Sequence, residues 1–440
     1  MTARLRKLIN DLKATFWLIP AVLVVAGIIL AKASVALDTS VAFPDWLAKG
    51  AWLYDGGAAG ARGLLGAVAS STITVAGTVF SITIAALTLA AGQMGPRLLL
   101  NFTRDRGNQI VLGIYLGTFV YSLLVLRSVR SEAEGAFVPH LSVSLGLALA
   151  IVCVAALVWF VDHMAGRINV DTVIALVSEE LRDAIKRLTV EESQPPPPPS
   201  TFWAGAVAIP NRQFGYIQQL DDEGLAKWAS ENNTSIYLLN RPGTYIFPQT
   251  PIALMLPAVK GAEDALTEAI AVGDHRGTSA DLEYAARQLV EVAVRALSPG
   301  INDPQTAISV LDQLGLALCE IVPRHLQTGV KRCDGRMALV VSSVDYDGLL
   351  DTMFHSIRQN ASTSAPVLIR MIEVLCAVAS AEREPTRLAA LRRHTDLVLE
   401  DASRMIANTR DIADIRARHS LFGADALLMI ASQEDVEQKT

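Results

Sequence analysis

The sequence predicts an α-helical membrane domain with about four transmembrane helices, followed by an α+β cytoplasmic domain with a small β-module and a helical region. Three observations predict it. Residues 1–165 hold four long uncharged runs, each above the roughly 18 apolar residues that cross about 30 Å of hydrocarbon. Residues 166–440 carry most of the Asp, Glu, Lys and Arg. Between 201 and 257 short strand-like segments alternate with turn signals, and beyond them apolar residues recur at helical spacing. This division accounts for a composition that fits neither class alone: 51% hydrophobic, 19% charged, mean hydropathy +0.35. The resulting organisation is a transmembrane domain over 1–165, a connecting helix and polyproline linker over 166–200, a β-rich module over 201–260, and a mainly helical domain over 261–440.

The first span runs from about Thr15 to Leu37. Arg4, Arg6, Lys7 and Lys13 precede it, and Ala31-Lys32-Ala33 resembles a signal-peptide cleavage site. The apolar run is longer than a usual signal-peptide core and three more spans follow, so a retained span is the better reading. The second span, from about Leu64 to Gln93, is rich in Ser, Thr, Gly and Ala. The third covers about Gln109 to Leu126 and the fourth about Leu141 to Val161. Trp17, Tyr121 and Trp159 sit near span ends, where amphipathic rings favour the interface. Lys and Arg concentrate before span one, between spans two and three (Arg97, Arg104, Arg106) and after span four (Arg167, Arg182, Lys186, Arg187). By the positive-inside rule both termini face the cytoplasm, which makes the chain a multi-pass membrane protein.

Past His163, the spacing of Val173, Leu176, Val177, Leu181 and Ile185 predicts a helix running on from span four. It ends before Pro195 to Pro199, an extended polyproline spacer. AGAVAIP, FGYIQQL, TSIYLL, GTYIF and PIALML then read as strands of a small β-domain. Thr278, with Asp281 three residues on, can cap a helix whose buried stripe includes Leu282, Ala285, Leu289 and Ala293. The turn SPGINDPQTA (298–307) ends it, and Asp303 with Pro304 starts the next helix. MALVVSSVDYD (337–347) reads as one strand, and helices fill most of 348–433.

Several of these segments together resemble a family of predicted bacterial membrane proteins catalogued as domain of unknown function 2254. They are FWLIP (16–20), VAGTVFSITIAALTLAAGQMGPRLL (75–99), NFTRDRGNQIVLG (101–113), FVYSLLVLRSVR (119–130), GYIQQLD (215–221), RQLVEVAVRALSPGINDPQTA (287–307) and SIRQ (356–359). ALSPGINDPQTA is the most specific. The resemblance implies a four-span membrane protein with a cytosolic domain and carries no activity with it.

Three groups of residues are candidates for function. Ser71, Thr74, Thr78, Ser81, Ala85 and Thr88 follow one another at spacings of 3, 4, 3, 4 and 3, which puts small hydroxylated residues on one helical face. Ser71, Thr74, Thr78, Ser81 and Thr88 can line a pore in a homo-oligomer, or that face can be a close-packed interface between membrane helices. Arg97, Arg104 and Arg106 can place rings of positive charge at a cytoplasmic mouth and draw anions there, or simply obey the positive-inside rule. Ser298, Gly300, Asn302 and Asp303 can contact a ligand or partner, though such residues also suit an interhelical turn.

The exclusions are broader. A net charge of −6 without a Lys/Arg cluster excludes nucleic acid as a partner. Cys153, Cys319, Cys333 and Cys376 lack metal-ligand spacing, as do His140, His163, His275, His325, His355, His394 and His419, so neither a metal nor another cofactor is expected. GxxxxGK[ST], GxGxxG, HExxH and GxSxG are all missing, which argues against an enzyme. Apart from Lys32 near one end, no charge lies centrally within a span, which argues against a proton-coupled pump. The expected partners are the lipid bilayer, further copies of the chain, and a small ion or anion. The leading expectation is a homo-oligomeric channel or channel-like transport protein gated by its cytosolic domain. The alternative is a membrane-anchored sensor or scaffold.

Overall fold

A computed structural model describes residues 16–40, 53–94, 105–130, 137–167, 170–274, 276 and 281–422. Arg97, Arg104, Thr278 and His275 lie outside the described residues. Contacts divide the chain into two compact units, one within 10–92 and 96–169, the other within 170–440.

The first unit contains four helices long and apolar enough to span a bilayer: α1 (Leu18–Ser40), α2 (Ala58–Met94), α3 (Arg106–Ser128) and α4 (His140–Arg167). Half of the apolar window of α3 is buried, against 22%, 33% and 22% in α1, α2 and α4, so α3 is the core of the bundle. Glycine lets α1 approach it. A Cβ added at Gly27 would lie 2.5 Å from the Gly117 carbonyl oxygen, and one at Gly117 would lie 2.9 Å from that of Leu23. Small residues allow such backbone approach, and membrane helices rely on it because lipid supplies no hydrophobic drive between them. Close backbone packing joins α1, α3 and α4 to one another. By contrast, α2 is held through side chains, with Ala76, Val79 and Ala86 in a cluster with Val111, Tyr115 and Phe160.

A buried polar network ties the ends of α1 and α4. The Asp38 carboxylate accepts hydrogen bonds from the Leu141 and Ser142 amides at 3.0 and 2.9 Å and from the Ser142 hydroxyl at 2.6 Å. These amides belong to the first turn of α4, whose N–H groups have no partner inside the helix. Tyr121 of α3 joins the network by donating to the Ser142 carbonyl at 2.8 Å. At the other end of α3, Asp105 caps the helix by accepting from the Gly107 amide, and its second oxygen lies 2.7 Å from His163 Nε2 on α4.

The second unit starts with α5 (Val170–Leu188), which buries Val173, Val177, Leu181 and Ile185 of the expected stripe, while Leu176 is half-buried and Ile174 is buried beside them. Residues 195–199 are free of helix and strand as expected, but they connect parts of one unit rather than separating two. Gln194, just before them, accepts from the Thr328 amide at 3.1 Å.

The β-region is larger than a module ending at residue 260. A five-stranded sheet has the order β2 (Val207–Pro210), β6 (Pro251–Leu256), β4 (Ser235–Leu238), β10 (Arg336–Val341), β9 (Val330–Cys333). Its last two strands come from the region expected to be mainly helical, where β10 matches the one strand expected at 337–347 and β9 matches none. β10 runs parallel to β4 and the other neighbours are antiparallel. A second sheet has the order β5 (Tyr245–Ile246), β3 (Gly215–Leu220), β7 (Ile270–Gly273), and β1 (Thr189–Val190) pairs with β8 (His325–Leu326). Helices α6 (Asp222–Glu231) and α7 (Ala262–Ala269) share the sheet core, with Leu225, Ala229 and Leu266 packed beside Ile236, Leu238 and Leu339. The strand expected over 337–347 stops at Val341, and Asp345 instead caps the next helix through the Gly348 amide.

The remaining helices are α8 (Leu282–Ala296), α9 (Pro304–Ile321), α10 (Tyr346–Asn360), α11 (Ala365–Ala381), α12 (Pro385–Met405) and α13 (Thr409–Ser420). The cap of α8 is Asp281, which accepts from the Tyr284 amide at 3.0 Å. α5 packs against α8 and α9, so the connecting helix is an integral part of this helical layer.

Candidate functional site

The sequence singled out one face of α2, and the structure places that face on the outside of the four-helix unit. Leu65, Thr72, Ala76, Val79, Thr83 and Ala86 are buried. Ser71, Thr74, Thr78, Ser81, Ala85 and Thr88 lie on the opposite side of the helix and are exposed. Ala67, Thr74, Ser81 and Thr88 recur every seven residues, as do Ser71, Thr78 and Ala85, so the stripe runs straight along the helix. Gly77 lies within it, and a Cβ added there would meet nothing within 4 Å.

Each hydroxyl donates to a carbonyl of its own helix. Ser71 bonds to Val68 at 3.1 Å, Thr74 to Ser70 at 2.8 Å, Thr78 to Thr74 at 3.2 Å, Ser81 to Gly77 at 2.9 Å and Thr88 to Ile84 at 2.9 Å. The donors are thereby satisfied without water, while the oxygen lone pairs still face outward. The contrast with the other spans is chemical. The outward surface of α1 carries Val22, Val25 and Ile29, and that of α4 carries Ile151, Val154 and Val158, all of them large and apolar. Those faces suit lipid tails. The α2 stripe offers methyls, hydroxyls and backbone, with exposed Ile73, Phe80, Ile82 and Ile84 on either side of it.

Of the three arginines proposed for a charged mouth, Arg106 is described: it is the first residue of α3 and is exposed. The turn at 298–303 is a self-contained connection. The Asn302 amide donates to the Ser298 carbonyl at 2.9 Å, Asp303 N–H donates to the Ala296 carbonyl at 2.8 Å, and Asn302 takes a positive φ of 50°. Asp303 then caps α9, accepting from the Gln305 and Thr306 amides at 3.1 and 3.2 Å and from the Thr306 hydroxyl at 2.6 Å. The hydroxyl bond is the main reason its carboxyl sits below the ordinary carboxylate range; partial burial opposes the shift and the two amides add to it. Gly300 faces open space and has an ordinary φ, so the turn itself does not demand glycine there. These four residues do what an interhelical turn requires.

Sequence reasoning missed a cluster in the second unit. Asp351 and His355 lie one turn apart on α10, and α12 brings His394 to them. His355 Nε2 and His394 Nε2 stand 3.0 and 3.2 Å from the same Asp351 oxygen. Arg393 Nη2 also holds that oxygen and lies 3.0 Å from Asp347 Oδ1. His394 is fully buried, and burial, helped by the neighbouring Arg393 charge, pushes its pKa down to about 4. At neutral pH its contact with Asp351 is therefore a neutral hydrogen bond rather than an ion pair. Burial would raise the Asp351 carboxyl, but the Arg393 bond and the facing charges of His355 and Arg393 outweigh it and hold it low. The i, i+4 spacing of Asp351 and His355 was a signal in the sequence; the third member, almost 40 residues on, carried none.

A family described as predicted membrane protein, domain of unknown function 2254, matches residues 13–377. Similar chains include an uncharacterized protein of Mycobacterium tuberculosis (strain CDC 1551 / Oshkosh), 29% identical over 94% of this chain and 81% of its own length. An uncharacterized protein of Mycobacterium bovis (strain ATCC BAA-935 / AF2122/97) is similar to the same degree, 29% identical over the same shares. No solved structure matches the chain.

Proposed function

The chain belongs to that family of predicted membrane proteins, and on that premise we propose that it forms a homo-oligomeric, channel-like assembly in the bacterial inner membrane with α2 nearest the axis. One observation carries the proposal: a stripe of small and hydroxylated residues runs along the outward side of α2, flanked by exposed Ile73, Phe80, Ile82 and Ile84, whereas the outward sides of α1 and α4 carry residues such as Val22, Val25, Ile29, Ile151, Val154 and Val158. A lipid-facing helix gains nothing from such a stripe, whereas a helix that meets its own copies, or water, does. The Lys/Arg bias of the loops supports cytoplasmic termini, with the second unit assembling or gating the pore. The permeant species is a small ion, and the exposed Arg106 at the start of α3, with Arg97 and Arg104 shortly before it in the sequence, favours an anion. No catalytic step is part of this reading. The back-bonded hydroxyls favour a second reading, in which the same face is a dry interface and the assembly presents the second unit as a binding scaffold.

Single cysteines in a background with the native four replaced by serine separate these readings. Disulfide or bifunctional cross-linking between chains is expected at Thr74→Cys, Thr78→Cys and Ser81→Cys, and not at Val158→Cys on the α4 surface. In liposomes holding these variants, ion flux that a water-soluble thiol reagent blocks at Thr78→Cys supports the channel. Cross-linking without flux sinks the channel and leaves the scaffold. A monomer that cross-links equally at all positions refutes both.

A further inference from the structure

The cluster of Asp351, His355 and His394 has the donor set and spacing of a metal site. Each residue presents one donor atom, and all three donors lie within 4.8 Å of one another. In a tetrahedral site with metal–ligand lengths of ~2.0–2.1 Å, neighbouring donors stand ~3.3 Å apart. The two separations from Asp351 Oδ1, 3.0 Å to His355 Nε2 and 3.2 Å to His394 Nε2, already approach that edge. The His355–His394 edge lies within 4.8 Å, and Arg393 must give up Asp351 Oδ1 before an ion can take it.

We propose that Asp351, His355 and His394 form a binding site for a divalent first-row transition cation of the Zn²⁺ class. Two imidazoles with one carboxylate suit such ions, whereas Mg²⁺ and Ca²⁺ select oxygen donors alone. The proposal is independent of whether the membrane unit conducts.

Three further features fit. His394 has no exposed surface, so its ring is placed by packing before any ion arrives. The Nδ1 atoms of both imidazoles are buried and have no hydrogen-bond partner among the described residues. At rest each Nε2 faces Asp351 Oδ1, which can only accept, so Nε2 carries the ring proton of a neutral imidazole. A cation that takes Asp351 replaces that proton at Nε2, and the proton moves to Nδ1 or to solvent. Finally, a positive charge already occupies the position: Arg393 bridges Asp351 and Asp347. An incoming ion takes over Asp351, and the guanidinium keeps Asp347. Arg393 and Asp347, which flank Asp351, line a cleft of about 660 Å³. Three protein donors leave a fourth position for water or a small ligand.

The test uses the untagged full-length protein in detergent, stripped with a chelator and titrated with Co²⁺ while visible d–d absorption is recorded, then back-titrated with Zn²⁺. Wild type is expected to bind about one equivalent, released by Zn²⁺. His355→Ala, on the partly exposed edge of the cluster, should weaken binding by ~10-fold or more. Arg393→Gln, which removes the competing charge, should tighten it several-fold, a result no purely structural role for the cluster produces. His394→Gln sits in the core and is read only alongside a circular dichroism melt. Absence of stoichiometric Co²⁺ absorption overturns the proposal, as does wild-type affinity in His355→Ala.

Discussion

Replacing Gly27 by alanine tests the packing at the centre of the membrane unit. The new methyl would sit 2.5 Å from the Gly117 carbonyl oxygen and 3.1 Å from its carbon. A carbon–oxygen contact settles at about 3.3 Å or more, so α1 and α3 must part by roughly 0.8 Å there. The obstacle is backbone, so no side chain can rotate away. A gap of that size forfeits a quarter to a half of the dispersion at each neighbouring contact, and overpacking of this kind costs about 1–3 kcal/mol. We expect about 2 kcal/mol, read from the SDS fraction at which helicity is lost in mixed micelles. Gly77→Ala is the control, because its methyl meets nothing within 4 Å and should leave the monomer unchanged or slightly stabler. Gly77→Leu extends the argument: it should spare the monomer's unfolding transition and abolish cross-linking along the α2 face. Wild-type unfolding of Gly27→Ala would refute the α1–α3 packing. A Gly77→Leu monomer as unstable as Gly27→Ala would refute the outward assignment of that face.

Other substitutions probe the polar anchors. Asp38→Ala removes the acceptor of two α4 amides and the Ser142 hydroxyl; by the same SDS titration it should cost about 1–2 kcal/mol. Asp303→Ala should cost about 1 kcal/mol as a lost cap, measured by thermal melting. Its carboxyl is held low in the fold, so the contribution is complete above the unfolded value of about 3.9 and is lost as pH falls through the folded value. The gap between wild type and Asp303→Ala should therefore close as pH drops below about 4 and stay constant above about 5. Arg387→Met should be the most damaging in the second unit, at about 3–5 kcal/mol, because it strands a buried anion. The guanidinium is 7% exposed, lies 3.5 Å from the Glu382 carboxylate, and donates to the Arg324 carbonyl at 2.9 Å. Restoring most of the melting temperature with Glu382→Gln in the same chain would support that cause, and an additive loss would refute it.

The spans were legible because their signal is local. An apolar run long enough to cross a bilayer needs no partner to declare itself, and each predicted span lies within the observed helix or overlaps most of it. Asp38 was not legible: its role depends on amides a hundred residues away, and in the sequence it is one more acid at the end of a span. The same distinction runs through the second unit. The segments FGYIQQL, TSIYLL and PIALML became β3, β4 and β6 because strand alternation is local. That β10 lies parallel to β4 across about a hundred residues, and so carries the sheet past residue 260, is a property of tertiary pairing that alternation does not encode. In 220–231 the cap Asp221 was present to be read, yet the strand-rich surroundings hid a ten-residue helix.

For the candidate site, residue type was legible and direction was not. Thr72 and Thr83 are buried in α2, while Thr74 and Thr78 point away from the same helix. Thr72 and Thr83 also donate to their own backbone, at 2.7 and 2.8 Å, so hydroxyl chemistry does not distinguish the two faces. Small residues serve both because α2 has close neighbours on one side already, in Val111 and Tyr115 of α3 and Phe160 of α4. A helix that needed small residues only to pack within its own chain would need them on that side alone. The second, parallel stripe, repeating every seven residues and facing no partner among the described residues, suits a helix approached from both sides. Under the proposed assembly a neighbour of the same sequence meets this stripe while Ile73, Phe80, Ile82 and Ile84 beside it face lipid, and the cross-linking pattern along Thr74, Thr78 and Ser81 is where that proposal stands or falls.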